Sequence, residues 1–173
     1  MSPLATYLVA AMHAWAPVEQ HSYIEGAAVT EARYAAIASD VADVALDPHE
    51  APLFAGDDGR ARTAVLLLAV ASLESGGFRS DVVWCHASGD HGRAWGPWQS
   101  HRSRARACSS VQEAARVALE QMRESFVACE RNEPAVWLAA YTSGSCSRGW
   151  LQARHRWERA AGWMAAHPFA GTP

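Results

Sequence analysis

The stretch from Leu73 to Gln99, LESGGFRSDVVWCHASGDHGRAWGPWQ, holds the residues of this chain best suited to chemistry. Glu74 ends a strongly apolar run. Asp90 lies sixteen residues later, in a Gly-rich loop that closes on Gly96-Pro97-Trp98-Gln99. A carboxyl at the margin of an apolar core can hold its proton near neutral pH, because burial disfavours the charged form. A protonated carboxyl is what acid cleavage of a glycosidic bond requires. In an inverting enzyme a second carboxyl, roughly 6.5–9.5 Å away, activates a water. Each residue also has a plainer reading: Glu74 as a surface residue ending a helix, and Asp90 as an Asx turn beside Gly89 and Gly92.

Other chemistries find less support. His86, His91 and His101 lie between Cys85 and Cys108, but their spacing fits no tight zinc-ligand pattern, so no metal is expected. Ser75 has no base placed near it by spacing. No P-loop, G-x-S-x-G or dinucleotide fingerprint occurs, so no cofactor is expected. A net charge of −3 gives no electrostatic case for nucleic acid. The local basic run Arg102, Arg104, Arg106 reads as a solvated face or a contact for an acidic polymer.

The elements that must position these residues are helical. Leu4, Tyr7, Leu8, Ala11, Met12 and Trp15 fall at helical spacing and predict a helix over residues 3–15. Residues 16–27 read as a polar connection. Tyr34, Ile37, Val41 and Val44 form the stripe of a helix over 29–46, which Asp47-Pro48 ends. A third helix is expected over 60–75. It is apolar on nearly all sides from Ala64 to Ala71, as a central buried helix is. Asp57 or Asp58 can cap it and Gly76-Gly77 can stop it. Glu74 therefore falls in its last turn, where burial and the negative end of the helix dipole both favour the protonated carboxyl. Residues 78–107 read as loop with a short hairpin. Ser110 and Glu113 form a capping-box pattern ahead of a helix reaching about Arg131. A short helix opens at Pro134 and runs to Tyr141, a turn surrounds Gly144, and a last helix covers 148–166.

At 173 residues the chain can build a full core without staples. A soft boundary near residue 50 divides an N-terminal helical extension (1–50) that packs on the core from a main unit (51–173). Four cysteines suit an oxidising compartment and at least one disulfide. No apolar run is long enough to span a membrane, and the N-terminus lacks the basic region of a signal peptide. A monomer outside the cytoplasm is the expectation.

Three elements, taken together and in order, resemble the lytic transglycosylase and goose-type lysozyme group of the lysozyme superfamily. The first is Glu74-Ser75-Gly76-Gly77. The second is Gly92-Arg93-Ala94-Trp95-Gly96-Pro97-Trp98-Gln99, preceded by Gly89-Asp90. The third is Ala140-Tyr141-Thr142-Ser143-Gly144. The resemblance covers about residues 60–150. It implies a mainly α, lysozyme-like fold with a small irregular or hairpin segment after the central catalytic helix. It also implies a muramidase acting on the β-1,4 bond between N-acetylmuramic acid and N-acetylglucosamine in peptidoglycan. On the matching positions, Glu74 is the general acid and Asp90 the water-positioning acid of a hydrolase. Tyr141 faces and orients the Glu74 carboxyl. Ser75, Gln99 and Thr142 fall at substrate-binding positions, and Trp95 and Trp98 line sugar subsites. The chain departs from the pattern at Pro97 and Trp98, where a small apolar pair is usual, at Thr142 in place of Asn, and at His101 in place of a further Asp. Residues 1–50 carry none of it. A non-catalytic wall-binding or structural module on the same fold, within a secretion or phage-tail assembly, is the alternative.

Overall fold

A computed structural model describes residues 1–171; Thr172 and Pro173, with which the expected 51–173 unit ends, lie outside the described residues. The protein is mainly helical. In chain order the helices are α1 (Pro3–Trp15), α2 (Glu19–Glu25), α3 (Ala27–Leu46), α4 (Gly59–Glu74), α5 (Ser80–Val83), α6 (Arg104–Ala107), α7 (Val111–Cys129), α8 (Ala139–Ser143) and α9 (Trp150–Ala166). Single 3₁₀ turns occur at Asp90–Gly92 and Pro134–Val136.

Helix α4 is the axis of the fold. Every residue from Thr63 to Ser72 is buried, as an all-round apolar run requires. Helices α1, α3, α7 and α9 pack around it, and Leu4, Leu8, Ile37, Val41, Leu67, Leu119, Met122 and Ala153 belong to one continuous core. Residues of α1 and α3 share that core with α4 and α7.

The helix ends obey local chemistry, with exceptions. Ser2 caps α1 through the Ala5 N–H, and Ser110 caps α7 through the Glu113 N–H at 3.0 Å. The Glu113 carboxylate does not complete a capping box; it pairs with Arg106 at 2.6 Å. Asp58 stands at the start of α4 without a side-chain cap bond, so neither expected Asp cap forms. Helix α4 ends as expected at Gly76-Gly77: both take positive φ (61° and 80°), and the Gly77 N–H reaches back to Ser72 O at 2.7 Å. This is the left-handed stop that glycine makes cheaply.

Three expectations need correction. Residues 16–27 are not only a connection, because α2 forms within them. No strand forms among the described residues; the expected hairpin is reduced to two isolated bridges, Gly89–Ala94 and Trp95–Ser100. The helix expected from Pro134 to Tyr141 is broken into the 3₁₀ turn and α8.

Two disulfides form: Cys85–Cys108, which joins the end of α5 to the end of α6, and Cys129–Cys146, which joins the end of α7 to the turn after α8. Closing loops of 23 and 17 residues stabilises the fold by about 3 kcal/mol each, mainly by restricting the unfolded chain. Among the described residues no helix is long and apolar enough to cross a membrane.

Candidate active site

The last turn of α4 carries Glu74 out of the core to the edge of a polar cavity of about 240 Å³. Glu74, the loop residues Asp90 and Gln99, and the neighbours Tyr141 and Thr142 of α8 all line it. Ala94, Trp98, Ser100, His101 and Gln121 complete the lining.

Glu74 is held by the turn on its C-terminal side. Gly76, Gly77 and Phe78 are three consecutive left-handed residues (φ 61°, 80° and 65°). For Phe78 that conformation is costly and persists only where surroundings enforce it. They do. Ser75 Oγ donates to Ala71 O at 2.6 Å and accepts from the Phe78 N–H at 2.8 Å. Arg33 Nε of α3 donates to Phe78 O at 3.0 Å, and His21 Nε2 of α2 lies 2.6 Å from Gly77 O. Arg33 is itself paired with Glu25. Burial pushes the Glu25 carboxyl up, but bonds from Arg33 and Thr30 and the Arg33 charge outweigh it, so it ends below its ordinary value. The N-terminal helices thus grip the turn that sets the direction of Glu74.

Sequence reasoning missed the strongest partner of Glu74. Arg156 of α9 donates from Nε at 3.1 Å and also from Nη2 to the same carboxylate oxygen. One turn on, Arg159 Nη1 donates to Ser72 Oγ at 2.8 Å. Two guanidiniums therefore meet the C-terminal end of α4, where the helix dipole favours cations. The carboxyl expected to be shaped by burial and the helix dipole has a cation against it.

The opposite wall comes from the bridged loop. Asp90 (φ 44°) and His91 (φ 54°) are left-handed, and Asp90 is engaged by Arg93 at 3.1 Å and faces His101 Nδ1 at 3.5 Å. Gln99 (φ 46°) donates from Nε2 to Gly96 O at 2.9 Å. Its Oε1 packs so closely on Gly89 that a Cβ there would collide with it. Ser100 Oγ donates to Gln121 Oε1 at 2.9 Å, which ties the loop to α7.

Tyr141 is placed from α7 as well, because its N–H donates to Ser125 Oγ at 2.9 Å. Its hydroxyl donates to Trp98 O at 2.8 Å rather than to Glu74. Burial, with the Glu74 charge second, holds this phenol far above its ordinary value, so it remains a neutral donor. Thr142 Oγ1 bonds within its own turn, 3.0 Å from Ala139 O and 3.1 Å from Gly149 O.

Two expected residues, Ser75 and Trp95, do not line the cavity, and a third, Trp98, lines it from a buried position. Ser75 is buried beneath the turn and bonded to backbone. Trp95 is covered by the Arg104 guanidinium, 3.8 Å from its ring centre, and is not part of the lining. Trp98 is 1% exposed and its indole N–H donates to Leu67 O at 2.8 Å, so its ring belongs to the core rather than to a sugar platform. Conversely, Arg156, Gln121 and Ser100 were not anticipated. Arg156 and Gln121 lie on amphipathic helices, where the apolar stripe marks the buried face but not which flanking polar residue meets a distant partner.

Chemically, the site presents one ion-paired carboxylate, one loop carboxylate held by Arg93 and His101, and amide and hydroxyl groups suited to polar ligands. Compared with known proteins, the chain matches no family model, no curated protein and no solved structure.

Proposed function

We propose that this chain is a peptidoglycan-cleaving muramidase of lysozyme-like fold, with Glu74 as general acid at the bond between N-acetylmuramic acid and N-acetylglucosamine. The observation that carries the reading is convergence: the end of α4 (Glu74), one loop (Asp90 and Gln99) and α8 (Tyr141 and Thr142) come to one polar cavity at the end of a buried helix. Glu74 protonates the leaving oxygen, and positive charge builds on the cleaved sugar ring. The cation is captured either by the sugar's own 6-hydroxyl, which leaves an anhydro end, or by a water positioned by Asp90, which leaves a reducing end. Gln99, with Gln121, contributes amide contacts to the sugars, and Tyr141 fixes the cavity floor through Trp98 O. Arg156 occupies the Glu74 carboxylate oxygen, so proton transfer from Glu74 requires that pair to open. The two disulfides suit an extracytoplasmic setting, where a monomer would meet glycan strands.

The test is digestion of purified peptidoglycan by the wild-type chain and by Glu74→Gln, with the released muropeptides weighed. Loss of an acid catalyst costs about 10²–10⁴ in rate, so the variant should release almost nothing. Anhydro ends identify the transglycosylase route and reducing ends the hydrolase route. Equal release by both proteins ends the assignment.

The Arg156–Glu74 ion pair also favours a second reading, a wall-binding or structural module in which the carboxylate is permanently neutralised. Retention of the wild-type chain on peptidoglycan with no release of muropeptides supports that reading.

A further inference from the structure

A polymer cleaved in its interior must be held on both sides of the scissile bond. The cavity supplies one side. Across the Arg156–Glu74 pair lies a shallow depression of about 370 Å³ formed by Leu73, Leu151, Gln152, His155 and Arg156. Glu74 lines the cavity and Arg156 lines the depression, so the ion pair is the partition between them. Arg156 Nη1 donates to Gln152 O at 2.8 Å, which anchors the guanidinium on α9 while Nε and Nη2 reach Glu74. None of the five lining residues is acidic; one is a guanidinium and one an imidazole. The lining therefore complements an anion and not merely a neutral sugar.

We propose that this depression receives the carboxylate-bearing part of a muramoyl glycan, and that this carboxylate replaces Glu74 on Arg156. N-acetylmuramic acid carries a lactyl carboxyl, free or extended by a peptide that itself ends in carboxylate, whereas N-acetylglucosamine carries none. In the exchange the Arg156 N–H bonds to Glu74 break and the same donors bond the ligand carboxylate. One charge-assisted pair replaces another, so the guanidinium is never left uncompensated. Glu74, without its cation, takes a proton from a solvent hydronium ion, leaving water, and later passes that proton to the glycosidic oxygen as its bond to the muramoyl carbon breaks. The ligand shifts the pair because it binds the opened arrangement and competes with the closed one. The exchange rests on the function proposed above and adds to it a substrate requirement: an anionic group on the sugar side that faces α9.

The test is calorimetric titration of two probes, muramyl dipeptide and tetra-N-acetylchitotetraose, into the wild-type chain, Glu74→Gln and Arg156→Gln. Glu74→Gln removes the internal competitor, so the affinity for muramyl dipeptide relative to chitotetraose should rise about tenfold over that of the wild type. Arg156→Gln should weaken muramyl dipeptide about tenfold and leave chitotetraose unchanged. No gain in Glu74→Gln, an equal shift for both probes, or full binding of muramyl dipeptide to Arg156→Gln overturns the proposal. If Arg156→Gln does not fold, the Glu74→Gln comparison decides alone. Lysis of peptidoglycan by the same Glu74→Gln sample separates the two ideas: full lysis removes the general acid and leaves the binding result standing.

Discussion

Glu74, Gln121, Tyr141 and Thr142 reach the cavity from helices, whereas Asp90, Gln99, Ser100 and His101 reach it from a segment without a helix longer than one turn. The helical wall takes its geometry from the core. Helix α4 is buried throughout its centre, and Tyr141 is pinned to α7 through Ser125. The loop wall sends one large ring, Trp98, into the core. The rest of it is held by left-handed residues, the close seat of Gln99 on Gly89, the Ser100–Gln121 bond and the Cys85–Cys108 bridge. One wall is positioned by packing along whole helices, the other by a single buried ring together with backbone conformation and covalent closure.

That contrast can be broken from either side. The largest effect is expected at the grip on the turn after Glu74. Arg33→Met removes the donor to Phe78 O and strands the Glu25 carboxylate, and breaking such a pair by removing one partner costs about 3–5 kcal/mol. Denaturant unfolding should show the loss. A change below about 1 kcal/mol would mean that packing of α3 alone holds the turn.

Next in size is the loop. The Cys85→Ser/Cys108→Ser double variant should lose about 3 kcal/mol, with amide exchange rising most at residues 89–100 and little at the centre of α4. Exchange that rises evenly over both walls would erase the distinction.

The smallest effect sharpens the helical side. The Glu25 carboxyl lies below its ordinary value of 4.5, so the folded chain binds this proton less tightly than the unfolded chain. The stability it contributes is complete above that ordinary value and is lost as pH falls through the lower folded value. Glu25→Gln should therefore lower Tm at neutral pH, and the two melting curves should converge as the pH falls below 4.5. A gap that persists in acid would assign the contribution to shape rather than charge.

The same contrast governs what could be read from the residues. Helices α1, α3, α4, α7 and α9 were legible because their apolar spacing reports burial directly, and the Gly76-Gly77 stop because glycine marks a left-handed turn. Helix α2 was not: EQHSYIE has no apolar stripe, and a long-range bond from His21 to Gly77 O helps seat it. The gathering of Glu74, Asp90, Gln99, Tyr141 and Thr142 was expected from motif order and not from periodicity. Arg156 was invisible because its partner lies 82 residues away and nothing local marks it. The burial of Trp98 and the Arg104 cover on Trp95 were not legible, because tryptophan looks the same in a sequence whether it covers the core or faces a ligand.

The ion pairs have one further consequence, for alkaline conditions. The chain has no lysine; apart from His13 and His101, every cation paired with a carboxylate among the described residues is an arginine. A guanidinium keeps its proton at any pH a folded protein meets. The buried phenols do not yield early either: Tyr34 is pushed up to about 12 by burial, and Tyr141 lies higher still. Base therefore has few protons to remove from this scaffold, whereas acid can discharge the carboxylate end of each pair. The electrostatic framework is one-sided, tolerant of alkali and open to attack only from low pH.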